Sequence, residues 1–216
     1  MTIKDIKKKS KADLKNNYGI SILTKILLSL VLFGSAAAGF IVGAIIVAGA
    51  ITCCYAAFYV DIAKRQIKGV DSTYRGFRQF ARALKVMLIY AGVILGVLIA
   101  YILLMLMIPH FVVSTILIIL LAIAVFCISI KLKFVFYIMN DETDLSAVNC
   151  IKKSWRITKG SFGKILLFEL SFIGWRLLTL LTFGALNLYV LPYRNTAVAN
   201  FYLSLTQTDE PNNEQL

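Results

Sequence analysis

The sequence predicts an all-α, polytopic membrane protein with six transmembrane helices, arranged as three hairpins with basic amphipathic interfacial helices between them. Three observations lead there. Hydrophobic residues make up 59% of the 216, above the roughly 45–50% usual in soluble domains, so water alone does not enclose the apolar surface. The apolar residues fall in long runs at 20–60, 86–108, 111–130 and 165–205. Most of the 23 Lys and Arg residues cluster between those runs, at 4–15, 64–85 and 131–164.

Ile165–Leu205 is the most informative run. As a single α-helix its roughly forty residues would extend about 60 Å, twice the hydrocarbon thickness of a bilayer. It must turn back, and Leu181-Thr182-Phe183-Gly184 is where a turn fits, because glycine tolerates backbone angles that other residues avoid. The same length argument makes Ile20–Val60 a hairpin, with its turn in Gly34-Ser35-Ala36-Ala37-Ala38-Gly39. A basic start, an apolar run and Ser35-Ala36-Ala37 also resemble a cleavable signal peptide, and retention of the segment is the expectation. Val86–Ile108 and Phe111–Ile130 form the middle hairpin, broken at Pro109-His110. Gly39 and Gly43, and then Gly92, Gly96 and Ala100, recur every four residues, the spacing of close helix-packing seams.

The polar segments carry the charge. Residues 1–18 hold Lys4, Lys7, Lys8, Lys9, Lys11 and Lys15 among Ile3, Ile6 and Leu14, which fits a helix on an anionic surface or a solvated polybasic start. In 71–85, Asp71 or Ser72 caps a helix. Tyr74, Phe77, Ala81 and Leu84 then share one face, while Arg75, Arg78, Arg82 and Lys85 share the other. Asp144 caps a further helix with Leu145, Val148 and Trp155 along one side and Lys152, Lys153 and Arg156 on the polar side, stopping near Gly160. Both basic faces read as contacts for anionic phospholipid, which is a better counter-charge for the net +12 than nucleic acid. Each hairpin follows a basic segment ending in an aromatic–small pair, Tyr18-Gly19, Phe80-Ala81 or Phe162-Gly163, a pattern of three repeated units.

With six spans every basic cluster falls on one side, which is the cytoplasmic side, and both termini lie there. Five spans break no charge rule but leave 165–205 as one overlong helix. The organisation is then a basic amphipathic segment at 1–19, a single membrane domain at 20–205 and an acidic, disordered tail at 206–216.

Asn140-Asp141 through Leu145-Ser146-Ala147, then Lys153-Ser154, Gly160, Leu170-Ser171-Phe172-Ile173-Gly174-Trp175, Leu191-Pro192-Tyr193 and Asn200-Phe201-Tyr202 resemble an integral membrane family of Gram-positive bacteria. That family is known only as domain of unknown function 975. The resemblance implies a multi-pass protein of the bacterial plasma membrane and brings no substrate, cofactor or catalytic residue. The chain departs from the pattern at Thr143, at His110, and at Arg176 and Arg194, which stand where uncharged residues are expected.

A charge at the centre of a membrane helix costs about 2.5–3.5 kcal/mol, so Glu169, Arg176 and Arg194 need compensation. Their spacing allows Glu169 to pair with Arg194 or with Arg176, either as an ion pair fixing register or as the lining of a transport path. The single histidine, and the lack of HExxH, GxSxG, a phosphate-binding glycine loop or a metal-ligand cluster, point to no enzyme, no metal and no cofactor. Cys53, Cys54, Cys127 and Cys150 read as small packing residues. Two classes of function remain: an accessory, assembly or immunity-type factor binding another membrane protein or a peptide, and a small-solute or peptide transporter. The sequence leaves the oligomeric state open.

Overall fold

The computed structural model describes residues 2–66, 71–107 and 111–213, the side chains at 35–46, 71–73, 106–107, 111–112, 114 and 208–213 excepted. Among these residues ten helices follow in order: α1 (Ile3–Lys15), α2 (Tyr18–Lys64), α3 (Asp71–Arg78), α4 (Phe80–Met107), α5 (Phe111–Lys131), α6 (Val135–Asp141), α7 (Ala147–Lys159), α8 (Phe162–Leu170), α9 (Ile173–Leu181) and α10 (Asn187–Asn213). His110 and the Pro109 turn lie outside the described residues. The last helix continues into the acidic segment that begins at 206.

The basic N-terminal segment docks on protein. A capping box starts α1: Thr2 Oγ1 accepts from Asp5 N at 3.2 Å and the Asp5 carboxylate accepts from Thr2 N at 3.1 Å. The buried face, Ile6, Ser10, Asp13 and Leu14, lies against α2 and α10. Asn200 donates to Ser10 Oγ and to Asp13 Oδ2, each at 3.1 Å, and Arg65 Nε stands 2.9 Å from Asp13 Oδ1. A buried carboxylate is tolerable when it is paired and hydrogen-bonded in this way. Lys7 Nζ donates to the Ser171 carbonyl at 3.0 Å and sits 4.4 Å from the centre of the Phe172 ring. Lys4, Lys8 and Lys15 face outward.

Helix α2 covers 47 residues, Tyr18–Lys64, but it is not straight. A straight helix would hold Lys25 and Tyr55 about 45 Å apart. Instead the Tyr55 hydroxyl donates to the Lys25 carbonyl at 3.4 Å, and Leu28, Ile51 and Cys54 share one apolar cluster. The two ends of α2 therefore lie side by side. At its C-terminal end α3 crosses very closely: a Cβ placed on Gly76 would come within 2.4 Å of both the backbone nitrogen and Cα of Cys54. Only glycine fits that crossing. Arg75 pairs with the buried Asp61 of α2 at the same contact.

The expected basic face of 71–85 is divided between solvent and protein. The chain breaks at Gln79, and Arg82 turns inward to hold the loop between α6 and α7. It donates to the carbonyl of Leu145 at 2.6 Å and to those of Glu142 and Met139 at 3.4 Å. These carbonyls close a helix and the turn after it; the Glu142 carbonyl also accepts from Leu145 N at 3.4 Å, and Arg82 adds a charged donor where water is excluded. Arg82→Gln is expected to lower stability by about 2 kcal/mol, and Arg78→Gln, exposed on the same segment, by less than about 0.5 kcal/mol. Thermal unfolding of both variants in one detergent checks the contrast.

Helix α7 starts on Ser146, whose Oγ accepts from Asn149 N at 3.3 Å, and not on Asp144. Its buried face is Ala147, Cys150, Ser154, Ile157 and Thr158, while Val148 and Trp155 are exposed. The expected apolar side is thus largely the outer one. Small residues pack against the neighbouring helices, and Ser154 Oγ donates to the Lys131 carbonyl at 2.8 Å.

The run at 165–205 is broken twice. The expected turn is present: Phe183 and Gly184 take φ values of 48° and 86°, and Gly184 N returns to the Thr179 carbonyl at 2.8 Å. A second break falls at Ser171-Phe172, where Ser171 Oγ bonds the Phe168 carbonyl at 2.6 Å and the Phe172 ring is buried. Phe168, Phe172, Tyr193 and Phe201 form a ring cluster with centroids 5.2–5.5 Å apart, and they fix how α8 meets α10.

Six spans are not found. Among the described residues three helical stretches are long and apolar enough to cross a membrane: Val47–Lys64, Phe80–Met105 and Thr115–Asp141. A fourth is counted if Ile3–Lys15 and Tyr18–Gly34, bent by 86°, act as one. The shortfall has a physical cause, because the breaks leave α8 and α9 at nine residues each, far below the roughly 20 needed to cross. A Cβ on Gly92 or Gly96 would meet nothing within 4 Å, so among the described residues they form no packing seam. Gly39 and Gly43 fall among the residues whose side chains lie outside the description.

Candidate functional site

Four elements converge on one carboxylate. Glu169 stands in the last turn of α8 and is 8% exposed. The break at Ser171-Phe172 swings α9 so that Arg176 Nη2 reaches Glu169 Oε2 at 2.8 Å. The turn at 182–186 brings α10 back, and Arg194 Nη2 lies 2.9 Å from Oε2 and 3.2 Å from Oε1. From the turn between α5 and α6, Lys133 pairs with Oε1. The structure thus brings together all three of the charged residues singled out in 165–205 and adds a fourth.

Lys133 was missed because it lies in a basic segment, beside Lys131, and reads as one more cytoplasmic charge. The signal that it is different is its apolar neighbours, Leu132 and Phe134: a short turn between two apolar helices leaves little room for its side chain to face water. Lys131, two residues away, stands over the rings of Trp155 and Phe162, 5.5 Å from each centre.

The cluster lines an open cavity of about 390 Å³. Tyr137 and Asn195 complete its polar side, and Phe126, Ile130 and Val198 its apolar side. The remaining expected contacts divide. Arg75 and Arg82 hold internal partners, Lys153 pairs with Glu142, and Arg78, Lys85, Lys152 and Arg156 face outward. Arg75, Arg82 and Lys153 thus each have a partner within the chain, while the Arg75 side chain stays 56% exposed. Among the described residues there is no group of three metal-ligating side chains. The four cysteines are free; Cys53, Cys54 and Cys150 are buried, and burial pushes the Cys150 thiol up from its ordinary value, away from the reactive thiolate.

Among the described residues the structure is all-helical, and three or four of its helical stretches have the length and apolar character to cross a membrane. The chain belongs to the family described as "Protein of unknown function (DUF975)", which matches it over residues 1–209. No curated protein and no solved structure matches it.

Proposed function

We propose that this chain is a non-enzymatic integral protein of the Gram-positive plasma membrane, an accessory, assembly or immunity-type factor that binds another membrane protein or a peptide. The observation that carries this reading is the surface of two helices. Phe80–Met105 and Thr115–Asp141 are the most apolar candidate spans among the described residues, and of the most apolar 18 residues in each only 6% are buried. The packed body is formed by α1, α2, α3, α6, α7 and α10, with the first turns of α4 at Ala83 and Val86. Helices associate in lipid through close packing at small residues, and the uncovered Gly92 and Gly96 offer such an approach to a partner helix. The basic outer faces, at Arg78, Lys85, Lys152 and Arg156, then set both termini on the cytoplasmic side against anionic phospholipid.

A photo-crosslinking residue at Leu95 or Ile99 tests this in living cells. The expected result is one discrete protein adduct, lost when Gly92 and Gly96 are changed to Leu. Adducts to lipid alone would contradict it. The second reading, a small-solute or peptide transporter, draws on the cavity that Glu169, Arg176 and Arg194 line. Substrate flux into proteoliposomes, abolished by Arg176→Gln, would establish that reading in its place.

A further inference from the structure

The charges around Glu169 do not cancel. Lys133, Arg176 and Arg194 bring three cations, and Glu169 is the one carboxylate among the residues lining the cavity. The cationic side chains outnumber the carboxylate, and two of the three are largely withdrawn from water, Lys133 at 15% and Arg194 at 24% exposure, with Arg176 at 54%. Like charges gathered in a low-dielectric site repel strongly, and a chain that keeps such a surplus holds it for an anion. A second observation agrees. Arg194 Nε is buried and, among the described residues, has no hydrogen-bond partner, so a strong donor stands unused in the cluster.

The walls say what kind of anion. Phe126 and Ile130 of α5 and Val198 of α10 face the same cavity as the cations. Ile119 and Ile123 continue the α5 face from Phe126 at helical spacing, each 54% exposed, and lead away from the charged end. A net positive pocket opening onto a continuous apolar helix face is complementary to an amphiphile with one anionic head. A phosphate diester offers its charge to two guanidinium groups and an ammonium without needing a donor in return.

We propose that the cavity between α5, α8, α9 and α10 binds the phosphate group of an anionic phospholipid, held by Lys133, Arg176 and Arg194, with an acyl chain lying along Phe126, Ile123 and Ile119. Glu169 then acts as a positioning residue that holds the three cations together. The inference shares the α5 face with the partner surface proposed above and is independent of the part of that surface on α4. It is also separate from the loose headgroup contacts expected at Arg78 and Lys85.

Native mass spectrometry of the full chain, released from membranes containing phosphatidylglycerol and phosphatidylcholine, tests it. One phosphatidylglycerol per chain is expected to persist as activation energy rises, after other lipid has been stripped. Arg176→Gln is the informative variant, since this side chain is 54% exposed and its loss leaves Glu169 paired with Lys133 and Arg194. Losing one charge-assisted hydrogen bond is expected to lower occupancy about tenfold at equal lipid. Lys133→Gln is expected to act in the same direction, with its fold checked by thermal unfolding. Changing Arg78 and Lys85 together to Gln is expected to leave the persistent adduct in place. An adduct with the mass of inorganic phosphate would keep the anion site and assign free phosphate as its ligand. No persistent adduct in the unaltered chain, equal retention of phosphatidylcholine, or unchanged occupancy in Arg176→Gln and Lys133→Gln alike would overturn the proposal.

Discussion

Glu169→Gln is expected to lower the stability of the detergent-purified protein by about 3–5 kcal/mol, the range for removing one partner of a buried charge pair. The substitution keeps the shape of the side chain and removes the only carboxylate lining the cavity, so Lys133, Arg176 and Arg194 face one another without a counter-charge. Arg194→Gln is expected to cost less. It removes one of two Arg contacts and relieves part of the surplus positive charge, while Glu169 keeps Lys133 and Arg176. The double variant is expected to cost less than the sum of the two, by roughly 0.5–3 kcal/mol of coupling. Thermal unfolding of the four proteins in one detergent measures this. Additive effects would mean that the 2.9 Å contact between Glu169 and Arg194 carries no energy.

Gly76→Ala is expected to cost about 1–3 kcal/mol, the usual range for overpacking, although alanine favours the helix. The added Cβ would sit 2.4 Å from Cys54 N and Cα and 2.8 Å from the Cys53 carbonyl carbon. Those are backbone atoms, so no side chain can swing aside, and α3 must separate from α2. Separation would also strain the ion pair of Arg75 with the buried Asp61. Gly92→Ala is the matched control. Nothing lies within 4 Å of its Cβ, so helix propensity alone acts and predicts a gain of about 0.5–1 kcal/mol. Equal effects at both positions would show that the α2–α3 crossing is looser than the structure has it.

The elements legible in the sequence were those set by local chemistry. Gly184 marks a turn because glycine takes its φ of 86° without the strain a Cβ would bring. The hydrophobic runs mark helices because a long apolar stretch has few other ways to satisfy its backbone. The break at Ser171-Phe172 was not legible, since neither residue is a helix breaker. It arises from the Phe172 ring packing with Phe168 and Tyr193, a tertiary choice. The division of the basic face at 71–85 was hidden for a related reason. Periodicity separates polar from apolar residues, but it does not tell solvent from a loop that needs donors, and Arg82 serves the loop. In α7 the period was right and the side was wrong, because close helix contacts select Ala147, Cys150 and Ser154 over the bulkier Val148 and Trp155.

At the site, the pairing of Glu169 with cations was legible from cost alone: a charge among apolar residues needs a partner nearby. Lys133 was not, because its partner lies 36 positions along the chain and its sequence neighbourhood is basic. The surplus positive charge, and with it the anion site, follows only once Lys133 joins Arg176 and Arg194.

The proposed arrangement is a membrane-embedded body with its basic faces on the cytoplasmic side. Impermeant thiol labelling of intact cells tests it most directly, with single cysteines introduced at Lys4, Arg78 and Lys152, all exposed, over the background of the four native cysteines. None of the three is expected to react until the cells are permeabilised, while a cysteine at His110 is expected to react at once. Labelling at Lys4, Arg78 or Lys152 in intact cells would contradict it.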